Sequence, residues 1–287
     1  MRVERRLAYP PPRMADLPPE TASLQDSGAT RIVADLRGAG FQAYWAGGCV
    51  RDLLIGRPAK DIDIATNAHP GQVQALFPIT HAIGRAFGVI LVEQEGKAYE
   101  VATFRRDAAY SDGRRPDAVH FTTAEADAQR RDFTINGMFY DPVENRILDF
   151  VDGQADLARR VVRAIGDPDA RFAEDHLRML RAVRFASTLQ FKLDPATAEA
   201  IRRLAPALAR ISVERIQTEL IRILTEAPQA GQALALLDAT GLLSVILPEI
   251  AALHGVEQPP EYHPEGEAFR HTVLMLDIME CPTPELA

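Results

Sequence analysis

YWAGGCVRDLLIGRPAKDID, spanning Tyr44–Asp63, is the stretch whose reading decides the fold. Residues 41 to 46 are apolar and β-type, which predicts a strand. Gly47 and Gly48 then predict a tight turn, where the lack of side chains lets backbone N–H groups approach a phosphate. Arg51 follows at the start of a helix, where a planar cation can clamp phosphate oxygens. After a short Gly/Pro loop the chain re-enters a strand carrying Asp61 and Asp63. Alternate residues of a strand share a face, so the two carboxylates lie side by side. They repel each other unless a cation such as Mg²⁺ joins them. The parts together predict a site for a nucleoside triphosphate with metal assistance.

Each part alone is common: Gly-Gly is an ordinary turn, and Asp-x-Asp often marks a solvated strand. The order of the parts is more specific. Neither G-x-x-x-x-G-K-[ST] nor G-x-G-x-x-G occurs, so the P-loop and dinucleotide-binding fingerprints are excluded.

The chain has 287 residues, enough for one large or two modest domains with a substantial core. Its 47% hydrophobic and 25% charged content is that of a soluble globular protein. No run is long and apolar enough to span a bilayer, and no signal peptide is evident. The cysteines, Cys49 and Cys281, form no zinc-type cluster, which fits a cytoplasmic location. The net charge of −8 argues mildly against a nucleic-acid partner. Arginines crowded from Arg159 to Arg222 offset that; they either pair with acids on helix surfaces or line a phosphate-tracking groove.

Residues 1–27, with five prolines, predict a flexible leader. Residues 28–160 mix helices and strands: a helix over Thr30–Ala39, another over Pro70–Phe77 with Val73, Leu76 and Phe77 on one face, a hairpin turning near Gly96, and a strand over Ile147–Val151. Short turns between strands favour an antiparallel or mixed sheet. Beyond Gly166 the pattern is helical, with Leu177, Leu180, Val183 and Phe185 as an apolar stripe. The fold class is α+β: a head with a mixed or antiparallel sheet, followed by helices.

Five ordered segments carry a resemblance. They are GGCVRDLLIGRPAKDIDIAT (47–66), EVATFRRD (100–107), RRDFTINGMFYDP (130–142), EDHLRMLRAVRFA (174–186) and ERIQTEL (214–220). Together they resemble the class II tRNA nucleotidyltransferases and bacterial poly(A) polymerases, of the polymerase-β-like nucleotidyltransferase superfamily. The resemblance implies a catalytic head (28–160), an all-helical neck that selects nucleotides (161–225) and a helical body (226–287). It also implies template-independent addition of C and A to the tRNA 3′ end (CCA addition) from CTP and ATP, with release of pyrophosphate. Enzymes adding only CC, only A, or poly(A) share these residues, and a non-catalytic RNA- or nucleotide-binding protein on the same fold is the alternative of another class.

For such a reaction two Mg²⁺ ions, or Mn²⁺ in their place, would activate the hydroxyl and neutralise the triphosphate, bridged by Asp61 and Asp63. Glu100 is the candidate third carboxylate; its plainer reading is an exposed strand acid or a partner for Arg105. By resemblance Arg131, Asp132 and Asn136 contact ribose and triphosphate, although Asp132 also reads as a helix cap. Glu174, Asp175 and Arg178 would select the base. Asp175 and Arg178 read as neighbours on one helix, where an i,i+3 ion pair is the plain alternative. An Asp accepting from an exocyclic amine and an Arg donating to a ring acceptor suit C and A and reject U and G. Arg181 supports that pair, and Glu214 with Arg215 braces the neck. A polar loop, Asp107–Val119, with Asp112, Gly113, Arg114 and Arg115, reads as the element that helps the pocket switch from C to A. Residues 262–277 resemble the start of an HD-type domain. Without its His-Asp pair the chain is expected to be truncated there, with His263 and His271 holding no metal.

Overall fold

The computed structural model describes residues 26–84, 87–108, 118–259, 261–279 and 283. These fall into two compact units that divide at Ala155/Asp156. Most of the expected leader and the loop residues Asp112, Gly113, Arg114 and Arg115 lie outside the described residues.

In the first unit α1 (Ser27–Gly38) opens one residue after its cap. Asp26 accepts from the Ala29 N–H at 3.0 Å and from the Tyr99 hydroxyl at 2.5 Å. Its buried face is Ala29, Ile32, Val33 and Leu36, the i, i+3, i+4, i+7 pattern of a packed helix. There follow β1 (Ala43–Ala46), α2 (Gly48–Leu54), β2 (Asp63–Thr66), α3 (Pro70–Leu76), β3 (Thr80–Gly84), β4 (Val89–Gln94) and β5 (Lys97–Thr103). Next come β6 (Arg105–Asp107), β7 (Val119–Phe121), α4 (Ala124–Gln129), a 3-10 turn at Thr134–Asn136, β8 (Phe139–Asp141) and β9 (Arg146–Leu148).

Seven of these strands form one sheet in the order β3-β4-β5-β2-β1-β8-β9. All of its pairs are antiparallel except β2 with β5, so the sheet is mixed. The β4–β5 hairpin turns on Glu95 and Gly96, at φ 52° and 76°, the double positive φ of a type I′ turn. β6 and β7 pair separately, and Ala108 N–H to Ala118 O continues that ladder. The core centres on β1, where Trp45 meets Tyr140 edge-on at 5.4 Å and Tyr44 packs with Phe104 and Phe139.

Three expectations need correction in this unit. Leu76 is exposed, while Val73 and Phe77 are buried, because the chain leaves the helix at Phe77. The strand expected over Ile147–Val151 is Arg146–Leu148. Asp149 then accepts from the N–H groups of Val151, Gly153 and Gln154, which turns the chain out of the sheet. Asp26 and Ser27, assigned to the leader, belong to α1 and its cap.

The second unit contains most of α5 (Gly153–Arg159), then β10 (Val161–Val162), α6 (Pro168–Glu174), α7 (Leu177–Leu189), β11 (Lys192–Leu193), α8 (Pro195–Leu204), α9 (Val213–Glu226), α10 (Ala230–Ala239), α11 (Leu243–Ile246), α12 (Pro248–Ala251) and α13 (Ala268–Ile278). It is helical apart from the short parallel pair β10–β11, which ties the ends of the α6–α7 segment together. Leu177, Leu180, Val183 and Phe185 of α7 are buried as their stripe requires. α7 is joined to α9 by the buried pair Arg184–Glu219 at 2.6 Å. α13 lies so close on α10 that a Cβ on Gly231 would stand 1.9 Å from the Val273 carbonyl oxygen. Among the described residues no helix is long and apolar enough to cross a membrane.

Candidate active site

The carboxylates assemble at the middle of the sheet. Ile64 of β2 lies opposite Val101 of β5, and the residue before each is Asp63 and Glu100. Ile64 and Val101 are buried, so the alternation of strand side chains puts Asp63 and Glu100 together on the solvent side. Asp61 was expected on the strand with Asp63, but β2 begins at Asp63, so Asp61 lies in the loop before it, exposed. The Asp63 carboxyl is pushed above its ordinary range, most by the protein around it and next by the Glu100 charge; Arg131 pulls it down and Asp61 pushes it up. Glu100 and Asp61 thus both act on Asp63. Oxygen donors of this kind fit a hard cation such as Mg²⁺.

The Gly-Gly turn adjoins this cluster because Ala46, the residue before Gly47, pairs with Asp63. Gly47 takes φ 81°, which suits glycine, and a Cβ there would stand 3.0 Å from Arg131 Nη1. Its N–H donates to the Met138 carbonyl at 3.2 Å, so that donor is spent inside the fold. Gly48 is the first residue of α2.

Arg51 departs from expectation. It is buried, donating to both oxygens of Asp52 and from Nη1 to Asn136 Oδ1 at 2.7 Å. Asn136 Nδ2 in turn donates to Asp132 Oδ1 at 3.1 Å. The result is a chain Asp52–Arg51–Asn136–Asp132, so Arg51 holds the ribose-side candidates from behind instead of standing as an open clamp. Asp132 is no α-helix cap; its Oδ1 also accepts from the Phe133 N–H. Arg131 stacks over Phe139 at 5.0 Å and donates to Asp127.

In the helical unit, Asp175 and Arg178 do not share a helix. α6 ends at Glu174 and α7 begins at Leu177, with Asp175 extended at φ −147°. Asp175 accepts from the Leu177 N–H and from Arg215 at 2.9 Å; Arg178 donates to Glu174 at 2.5 Å. The plain alternative, an i,i+3 ion pair, is therefore replaced by two other pairs, and Arg215 joins Asp175 at the junction of α6 and α7. Arg181 lies over the Phe185 ring at 5.4 Å. Glu214 is exposed in the first turn of α9 and stands apart from this junction's pairs. Most of the crowded arginines have acidic partners, among them Arg163 with Asp156 and Asp194, Arg203 with Asp169, and Arg222 with Glu226.

Comparison with known proteins shows the family. The poly(A) polymerase head domain matches residues 43–163, and the probable RNA- and SrmB-binding site of polymerase A matches residues 190–253. The CCA-adding enzyme of Geobacillus thermodenitrificans (strain NG80-2) is 49% identical over 224 residues, 78% of this chain and 55% of its own length. The chain belongs to the tRNA nucleotidyltransferase and poly(A) polymerase family.

Solved members of this family share the fold. The Bacillus stearothermophilus CCA-adding enzyme in complex with CTP superposes with a TM-score of 0.69 at 44% identity, over 79% of this chain and 53% of that one. A tRNA nucleotidyltransferase complexed with a primer tRNA and an incoming ATP analogue gives 0.65 at 25% identity, over 86% and 75%. The chain spans about half the length of the curated relatives it matches.

Two acids that hold the site's arginines escaped the sequence reading. Asp127 is buried at 1% exposure and holds Arg130, Arg131 and the Arg105 N–H. Burial works to raise its pKa, but Arg131 and Arg130 outweigh that and hold it below the usual range. Its signal was an acid three and four residues before an arginine pair within one helical segment. Asp52 anchors Arg51, and its signal was adjacency alone. At the other end of the chain Glu265 lies between His263 and His271, a carboxylate that the expectation of no metal there left out.

Proposed function

We propose that this chain is the catalytic part of a CCA-adding tRNA nucleotidyltransferase, moving CMP and then AMP from CTP and ATP onto a tRNA 3′-hydroxyl in the cytoplasm. The observation that carries the reading is the meeting of Asp61, Asp63 and Glu100 beside the Gly47–Gly48 turn. Asp61 and Asp63, with Glu100 beside them, would hold two Mg²⁺ ions, for which Mn²⁺ can substitute. Those ions, when bound, neutralise the triphosphate and make the attacking hydroxyl more acidic.

The rest falls to the protein. Arg131, fixed by Asp127 and Phe139, presents positive charge next to Asp63 and suits the triphosphate. Asp132, held by Asn136 and through it by Arg51, is set to accept from a ribose hydroxyl, which favours ribonucleotides. Asp175 uses two of the roughly four acceptor positions of a carboxylate on Leu177 and Arg215, and can still accept from the exocyclic amine of cytosine or adenine. Arg178 would donate to the ring nitrogen beside that amine, with Glu174 keeping it in place.

A single-nucleotide extension assay with Mg²⁺ tests the proposal. tRNA transcripts lacking CCA, ending in CC, or ending in CCA are each offered CTP, ATP or both. Two C's and one A followed by a stop is the expected result. Addition of CC alone, of A alone, or of a long A tail would replace CCA addition with a partial enzyme or a poly(A) polymerase. No extension would leave the binding-only alternative.

A further inference from the structure

His263, Glu265 and His271 stand in the second unit, with no part in the reaction above. His263 lies in a turn closed by its own N–H on Pro259 O and by the Gly266 N–H on His263 O. The ends of that turn are held by the Glu257–Glu267 bridge, by Gln258 N–H to Gly266 O at 2.7 Å and by Ala268 N–H to Val256 O at 2.9 Å. His271 is in the first turn of α13. Backbone pairing therefore fixes all three side chains close together.

Their donor atoms converge. His263 Nδ1 is 3.5 Å from Glu265 Oε1, and His271 Nδ1 contacts the same oxygen. The two imidazoles stand nearly perpendicular, with centroids 4.7 Å apart at 86°. One donor atom from each residue lies within 4.8 Å of the others. Donors bound at about 2.0–2.2 Å to one tetrahedral ion are separated by about 3.4 Å, so small rotations bring these atoms to a common ion.

We propose that His263, Glu265 and His271 bind one transition-metal ion of the zinc class. Two imidazole nitrogens and one carboxylate select Zn²⁺ over Mg²⁺, the reverse of the all-carboxylate set in the head. Three protein ligands leave one coordination position for water or another ligand. The ion clips the 259–266 turn to α13. No His-Asp pair is required, so this differs from the HD-type metal site that the segment's resemblance implies.

The metal-stripped 287-residue chain is titrated with ZnCl₂ by calorimetry, with and without millimolar MgCl₂. The Asp61→Asn/Asp63→Asn double variant removes the head carboxylates from the count. The expected result is one zinc equivalent that persists in the double variant and in Mg²⁺, with a thermal unfolding midpoint raised by zinc. Glu265→Gln and His271→Gln should each weaken zinc binding at least tenfold. His263→Gln serves as the third variant, circular dichroism checks folding, and Co²⁺ absorption reports tetrahedral ligation. Zinc lost in the double variant but kept in Glu265→Gln would assign the ion to the head. No uptake, or affinity unchanged in folded Glu265→Gln and His271→Gln, would reduce the cluster to hydrogen bonds and overturn the proposal.

Discussion

Acidic residues are used in opposite ways in the two units. In the head, Asp63 stands with Glu100 and Asp61, and its pKa is pushed up, first by burial and then by those two charges, against the pull of Arg131. In the helical unit several buried or half-buried acids are held by arginine: Glu219 by Arg184, Asp175 by Arg215, Glu174 by Arg178. Charge left uncompensated by the protein is stabilised by a ligand; charge compensated internally holds shape. On the proposed reading the first arrangement gives up stability for chemistry, and the second holds shape.

Substitutions can break this contrast. Asp61→Asn or Asp63→Asn should lower nucleotide transfer about 10³-fold, the scale of several kcal/mol of lost metal-assisted stabilisation. Asp63→Asn should also unfold no earlier than the parent in urea, because it removes repulsion; earlier unfolding would mean that the acids support the fold. Glu219→Gln should leave Arg184 buried without its counter-charge and cost about 3–5 kcal/mol in the same measurement. Replacing the pair together, Arg184→Met with Glu219→Leu, should recover most of that loss.

Smaller effects sharpen the contrast. Asp175→Ala should relax discrimination against UTP and GTP about 10- to 100-fold, the penalty of one or two unpaired polar groups. Unchanged incorporation ratios in the extension assay would return Asp175 to a purely structural role with Arg215. Asp26→Ala should cost about 1 kcal/mol through the lost cap of α1. The smallest effect concerns His254, which Glu267 and Asp238 each meet at 3.1 Å. Desolvation lowers its pKa, but the two acids outweigh it and the net shift is upward. The stabilisation is therefore complete below the ordinary histidine pKa and fades as pH rises through the raised value. His254→Gln should flatten that part of a stability–pH curve.

The local elements of the head were legible because their signals are local. Gly40 at φ 89° stops α1, and Glu95-Gly96 turns the hairpin. Asp63 and Glu100 were both identified, but their pairing was not, since strand order depends on contacts far apart in the chain. The break at Asp175 was illegible for a similar reason. EDHLRML reads as uninterrupted helix, and what bends it is a side chain that caps Leu177 and reaches Arg215, forty positions on. Arg51 was given the right neighbourhood, but its partners Asp52 and Asn136 were not foreseen. Its burial follows from Asn136, whose position beside α2 is set by the 3-10 turn before β8.

Because β2 and β5 run side by side in the same direction, the Asp63 strand leaves the ribosome well before the strand that brings Glu100 beside it. Asn67 through Gly96, with α3, β3 and β4, must be made and returned across the sheet first. Such a crossover closes slowly compared with a hairpin. A nascent chain that has emerged only as far as β4 therefore carries Asp61 and Asp63 without their third carboxylate. On the proposed reading, the carboxylate cluster comes into being only when the middle of the sheet closes.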